Sequence, residues 1–228
     1  MKLVSIVIPA YNEELSIAGT IKEIKRTVKN NKSYDFEIVV SNNNSKDRTG
    51  EIAKKEGARV VFEKKQGYGH AYKKGLSEAK GDIIITSDAD GTYPLCDILR
   101  FIKILEEGKY DFVIGNRFAG LEKKSMNIVN RFGNIFLTLM TNLIYGIKIH
   151  DSQSGMVAFK KDYLKKIDFD LLSNGMALCQ ELKLYAICLG MKVKEIPIKY
   201  RARIGSSKLS VIGDGFGNFV ALWSFKKR

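Results

Sequence analysis

Through the first 115 residues, short β-branched runs alternate with longer helical patterns, and this rhythm constrains the fold more than any other feature of the chain. Leu3 to Ile8, Glu37 to Val40, Arg59 to Phe62, Ile83 to Thr86 and Phe112 to Ile114 read as strands, with helices expected over 14–29, 47–56, 69–78 and 95–107. Strands that are apolar throughout, such as IIIT at 83–86, must be covered on both faces. The expected fold is therefore α/β: a mostly parallel, Rossmann-like central sheet with helices on both faces. Right-handed crossovers put the loops that follow the strands on one edge, where ligands of open α/β sheets gather. The loops beginning at Pro9, Ser41 and Ser87 are thus the places to look for chemistry.

Beyond residue 115 the rhythm weakens into a charged loop at 120–125, a long mixed helix near 126–145 and an unassigned stretch from Asp151 to Phe159. A helix over 176–189, a strand at Lys192 to Ile196 and a Gly/Ser-rich basic segment from Arg201 to Gly217 follow. With 228 residues, 45% of them hydrophobic, and no repeat or low-complexity linker, the chain reads as one domain with a 1–115 half and a 116–228 elaboration on the same core.

Lys and Arg number 38 against 25 acids, a formal balance of +13 that favours anionic partners: nucleic acid, lipid headgroups or phosphorylated small molecules. The recurring Lys pairs read as solvated helix faces, and no base-stacking or helix-turn-helix signal accompanies the charge, so no nucleic-acid partner is expected. Cys96, Cys179 and Cys188 have neither disulfide nor zinc spacing, which points to a reducing compartment. The start of the chain reaches Pro9 and then acids too soon for a signal peptide, and Ile135 to Ile147 is only about half a bilayer span. That stretch reads as a buried or interfacial helix. Trp223 and Phe225 beside Lys226, Lys227 and Arg228 suit a membrane interface. The expected location is cytoplasmic, peripheral at the cytoplasmic face of a membrane; the sequence fixes no oligomeric state.

Asp88 and Asp90 flank Ala89 directly after the IIIT run. Two carboxylates on one turn attract a hard divalent cation, Mg²⁺ or Mn²⁺, which can bridge the oxygens of a diphosphate. The alternative is a polar turn whose acids cap the helix starting near Leu95. In VSIVIPAYNEE, Tyr11 is suited to stacking on a base and Glu13 to accepting from base or ribose, while Asn12 and the acids after it equally suit a helix cap.

VIPAYNEE, VVSNNNSKDRT, GDIIITSDADGTYP, GNRF, DSQSGMVAF and RIGSSKLS, in this order, resemble the family 2 inverting glycosyltransferases of GT-A fold, nearest to the polyprenyl-phosphate (dolichyl-phosphate) mannose and glucose synthases. The resemblance covers residues 3 to about 215. It implies a UDP- or GDP-linked sugar as donor, a polyprenyl phosphate as acceptor and a divalent metal on Asp88 and Asp90. Nucleotide-sugar contacts are implied for Pro9, Tyr11, Glu13, Asn43, Asp88, Ala89, Asp90, Thr92, Arg203 and Lys208. Acceptor contacts are implied for Arg117, Arg131, Gln153 and Ser154, with Asp88, Asp90 and Arg117 as the catalytic set. The family's paired acids are Asn42 and Asn43 here, leaving a neutral amide to accept from a base without charge assistance. Tyr68 stands where a family loop carries Lys, and His70 is read as a helix-start residue in preference to a phosphate contact.

A polyprenyl phosphate oxygen is already anionic, so no strong base is needed; a sugar-hydroxyl acceptor would require one. Glu181 is the candidate base, with a helix residue paired to a neighbouring Lys as the other reading. Arg201 is read as solvated surface.

Overall fold

The computed structural model describes residues 1–206 and 211–226, in the last stretch the side chains of 213–224 only. Seven strands make one sheet: β1 (Lys2–Ala10), β2 (Tyr34–Asn42), β3 (Arg59–Phe62), β4 (Ile83–Thr86), β5 (Phe112–Asn116), β6 (Val157–Lys160) and β7 (Val193–Pro197), in spatial order β3-β2-β1-β4-β6-β5-β7. β1 pairs in parallel with β2 and β4, and β2 with β3. β6 is the exception, antiparallel to both β4 and β5, while β7 returns parallel to β5. All four residues of β4 are buried, as its unbroken apolar sequence requires of a central strand.

Alternate residues of the strands feed two cores, as the period of two demands. Val4, Ile6, Ile8, Ile83 and Ile85 meet α1 (Ile17–Val28), α2 (Thr49–Lys55) and α4 (Ile98–Glu106) on one face. Val7, Val39 and Ile84 meet α3 (Tyr68–Glu78) and α6 (Leu178–Cys188) on the other. Each fully buried Ile contributes roughly 2–3 kcal/mol of apolar burial. Two further helices, α5 (Ile128–Tyr145) and α7 (Val211–Lys226), lean together beside α6 around Leu184 and Leu222. The structure adds to the sequence reading in two places. The stretch from Asp151 to Phe159, left unassigned, contains β6, and the segment read as Gly/Ser-rich and basic as far as Gly217 is helical from Val211. Its glycines are outweighed by the packing of Leu222 and Ala221, both buried.

Candidate active site

The loops after β1, β2 and β4 converge at the carboxyl edge of the sheet. Asp88 lies two residues beyond β4, in a turn whose Gly91 has φ +77°, a left-handed conformation that glycine adopts at no steric cost. Ala89 is buried, and its carbonyl accepts the Thr20 hydroxyl of α1 at 2.9 Å. One Asp90 oxygen accepts the Thr92 backbone N–H at 3.0 Å and the Thr92 hydroxyl at 2.7 Å; the other meets the Arg203 guanidinium at 2.8 Å. Asp88 accepts from the Tyr68 hydroxyl at 2.8 Å. Neither acid caps a helix: the turn at Leu95–Asp97 and α4 after it begin without a side-chain cap. Burial first, and then the charge of Asp90, push the Asp88 carboxyl up to about 7, against the pull of Tyr68, Arg203 and Arg117.

Arg203 ties two loops together, since its guanidinium also holds Glu13. It is delivered by a strap along residues 200–204, in which the Arg201 N–H donates to the Thr92 carbonyl at 2.9 Å and the Ile204 N–H to the Asp90 carbonyl at 3.0 Å. Arg201 is half-buried rather than freely solvated, and makes two bonds to Glu23 at 2.8 and 3.0 Å. Pro9 is buried in β1 opposite Ser41, and Tyr11 is half-buried in the loop that follows. Asn12, expected as a possible cap, has φ 52° and its side-chain oxygen accepts the Lys46 N–H at 2.8 Å; α1 starts only at Ile17. Asn43 spends its amide on the backbone, accepting the Gly67 N–H at 2.9 Å and donating to the Lys65 carbonyl at 2.7 Å. It therefore braces the 63–67 loop, and a base would have to share its oxygen. Lys208 lies outside the described residues.

On the far side of the sheet edge Arg117 is buried against Asp151, with Nε and Nη2 at 2.7 and 2.8 Å from the two carboxylate oxygens and the backbone N–H at 3.0 Å. Burial alone would lower its pKa, but the charge of Asp151 overrides this and holds it well above the usual arginine value. The Tyr200 ring lies 5.3 Å beneath its guanidinium, a cation–π contact. Gln153 bonds to Ser152, Gln180 and Asn218. The Ser154 carbonyl accepts from the buried Lys183 ammonium at 2.5 Å. No hydrogen bond or ion pair among the described residues joins Arg131 to this cluster; it is exposed on the first turn of α5. Glu181 fits neither of its expected roles: buried, it accepts from the Ser173 N–H and hydroxyl at 2.6 and 2.8 Å. His70 does sit in the first turn of α3.

Sequence reasoning missed how the two sides meet. The Gly155 carbonyl accepts the Tyr72 hydroxyl at 3.1 Å and the Thr86 hydroxyl at 2.6 Å, and its N–H donates to the Tyr93 oxygen at 2.6 Å. A Cβ there would lie 3.1 Å from the Tyr68 oxygen and 3.4 Å from Asp88, so only glycine fits without displacement. Ser87 Oγ, Ser154 Oγ and Arg203 Nε are three of the five buried polar side-chain atoms lacking a partner among the described residues, and all three lie around this edge. Such atoms are rare and tend to mark where a ligand belongs.

Residues 5–168 match the model for glycosyl transferase family 2. The chain belongs to that family. It is a glycosyltransferase, 33% identical over 212 residues, 92% of its length and 88% of the relative's, to the dolichyl-phosphate hexose transferase of Haloferax volcanii. It is also 31% identical to the UDP-N-acetylglucosamine--dolichyl-phosphate N-acetylglucosaminyltransferase of Methanococcus voltae, over 87% of this chain and 85% of that one. Its fold matches the glucosyl-3-phosphoglycerate synthase of Mycobacterium tuberculosis, crystallised with Mn²⁺, UDP and glucosyl-3-phosphoglycerate, at a TM-score of 0.80 and 21% identity over 98% of this chain and 80% of the other. The sheet of this glycosyltransferase is thus the mostly parallel GT-A sheet that its sequence resembles.

Proposed function

We propose that this glycosyltransferase moves a hexosyl group from a UDP- or GDP-linked sugar to a polyprenyl phosphate, with inversion and with the help of Mg²⁺ or Mn²⁺, at the cytoplasmic face of a membrane. The observation that carries the reading is the aspartate pair, half-buried Asp88 and buried Asp90, with Asp90 set against the guanidinium of Arg203. Two carboxylates supply hard oxygen ligands, and Asp90 already holds a cationic group, so the donor set fits Mg²⁺ or Mn²⁺. Among the described residues no group of three or more His, Cys, Asp or Glu could hold a metal by itself, so a cation held by Asp88 and Asp90 would need further ligands from outside the protein. When bound, the cation neutralises charge on the leaving diphosphate. Arg203 exchanges carboxylate for phosphate oxygens, its planar fork suiting both. Thr92 keeps Asp90 in place, and Tyr11 and Glu13 hold the nucleotide.

On the other side, Arg117 is oriented by Asp151 through Nε and Nη2, which leaves Nη1 for an acceptor phosphate. Because Asp151 and Arg117 neutralise each other, the acceptor approaches a pre-aligned donor group without a large unpaired charge beneath it. The phosphate oxygen is its own nucleophile; attack opposite the diphosphate turns an α-linked donor into a β-linked product. The fixed Glu181 gives no support to a sugar-hydroxyl acceptor. The reading predicts that pure protein with Mn²⁺, a panel of nucleotide sugars and a short, water-soluble polyprenyl phosphate releases one nucleoside diphosphate and forms a sugar-phosphate lipid. Donor turnover only with a glycan acceptor would overturn it.

A further inference from the structure

Helix α5 buries one side and exposes the other. At about 100° per residue, Ile128, Phe132, Ile135, Phe136, Leu139 and Leu143 fall in one stripe roughly 100° wide. Each is between 45% and 74% exposed, while Leu137, Thr138 and Thr141 on the opposite side are buried. Helix α7 repeats the pattern with Phe216, Val220 and Trp223 exposed at intervals of four and three. The two helices are joined by stacked rings of Phe136 and Phe219 at 6.1 Å and by the Tyr145 hydroxyl on the Leu222 carbonyl at 2.5 Å. Their inner sides grip the 152–153 turn: the Thr138 and Ser152 hydroxyls lie 3.0 Å apart, and the Asn218 amide donates to Gln153 at 3.0 Å.

We propose that the outer sides of α5 and α7 form one docking surface for an anionic bilayer, seating the 152–153 turn and Arg117 at headgroup level. The inference rests on the polyprenyl-phosphate reading of the acceptor and names the partner that brings it. Continuous apolar surface on a soluble face marks an interaction site, and charge complementarity selects the occupant. α5 has no acid in its 18 residues, it carries Arg131 beside the stripe, and exposed Lys123, Lys124 and Lys148 flank it in the chain. A second copy would bring another +13 against the first, whereas anionic headgroups compensate that charge. Trp223 suits the interface, and no helix among the described residues is long and apolar enough to cross a membrane, so the surface lies on the bilayer.

The test is flotation of the intact protein with phosphatidylcholine vesicles, with and without phosphatidylglycerol, beside the double variant Phe132→Ser/Leu139→Ser. Wild type should float with anionic vesicles, and the variant's partition should fall about tenfold or more. Trp223 is the chain's sole tryptophan, so its emission should shift to the blue on binding in wild type. Transfer to a water-soluble, short-chain polyprenyl phosphate should be the same in both proteins. Absence of flotation, equal flotation of the variant, or a wild-type dimer that the variant dissolves would each overturn the docking surface. Flotation without any transfer would leave the surface standing and remove the acceptor assignment instead.

Discussion

The two sides of the site hold buried charge by opposite means. On the first, Asp88 and Asp90 repel each other in a low-dielectric turn, so that Asp88 rises to about 7 and the pair is poised to take up positive charge. On the second, Arg117 and Asp151 cancel within one bidentate contact. In the first, Thr92 braces Asp90 from two residues away, while Tyr68 and Arg203 reach in from distant loops; the second depends on a single pair 34 residues apart. A site with one arginine against three carboxylates, Asp88, Asp90 and Glu13, keeps a net negative charge that suits a cation, whereas a compensated one can only orient.

Five substitutions test that contrast. Asp90→Ala removes the recruiting charge and should lower transfer about a thousandfold with the circular-dichroism spectrum unchanged; near-normal turnover with Mn²⁺ would erase the distinction. Arg117→Met leaves Asp151 buried and uncompensated, and urea unfolding should show a loss of about 3–5 kcal/mol. Adding Asp151→Leu should recover most of it, and no recovery would mean that the pair does not cancel as described.

Lys183 gives a pH signature for the second side. Burial holds its pKa at about 8, below the ordinary 10.5. Between those values the unfolded chain binds the proton that the folded protein lacks, so stability rises with pH by up to about 1.4 kcal/mol per unit. It is flat below the window, where the charged lysine is buried at full cost. Lys183→Met should lose that slope in melts from pH 7 to 10; a parallel pair of curves would refute the assignment. The smallest effect is expected from Tyr68→Phe, which removes one hydrogen bond to Asp88 worth about 1 kcal/mol. The Mn²⁺ concentration giving half the thermal shift should rise severalfold, and an unchanged midpoint would show that Asp88 holds its place unaided.

The same contrast explains what was legible in the sequence. Strands β1 to β5 and β7, helices α1 to α6 and the Asp88–Asp90 turn follow from local pattern, because β-branched runs, helical periods and a strand-to-loop junction carry their own signal. β6 does not: VAFK is four residues long and becomes a strand only because β4 and β5 leave room for it. Nor does α7, whose Gly213, Gly215 and Gly217 argue against helix until α5 and α6 supply its packing. The pairings of Asp151, Tyr68 and Lys183 carry no local signal, because their partners lie 34, 20 and 29 residues away. Glu181 and Asn43 each also brace a backbone loop, a role with no sequence period at all.

The insertion of β6 has a consequence for how the protein is made. Until Val157–Lys160 leaves the ribosome, β4 and β5 have no strand to join them, since each pairs with β6 across the middle of the sheet. A nascent chain of the first 116 residues therefore holds a raw apolar edge at Ile83 to Ile85, and productive closure waits on the late arrival of one short reversed strand. Chains cut between β5 and β6 are expected to aggregate, however complete their nucleotide-facing loops look on paper.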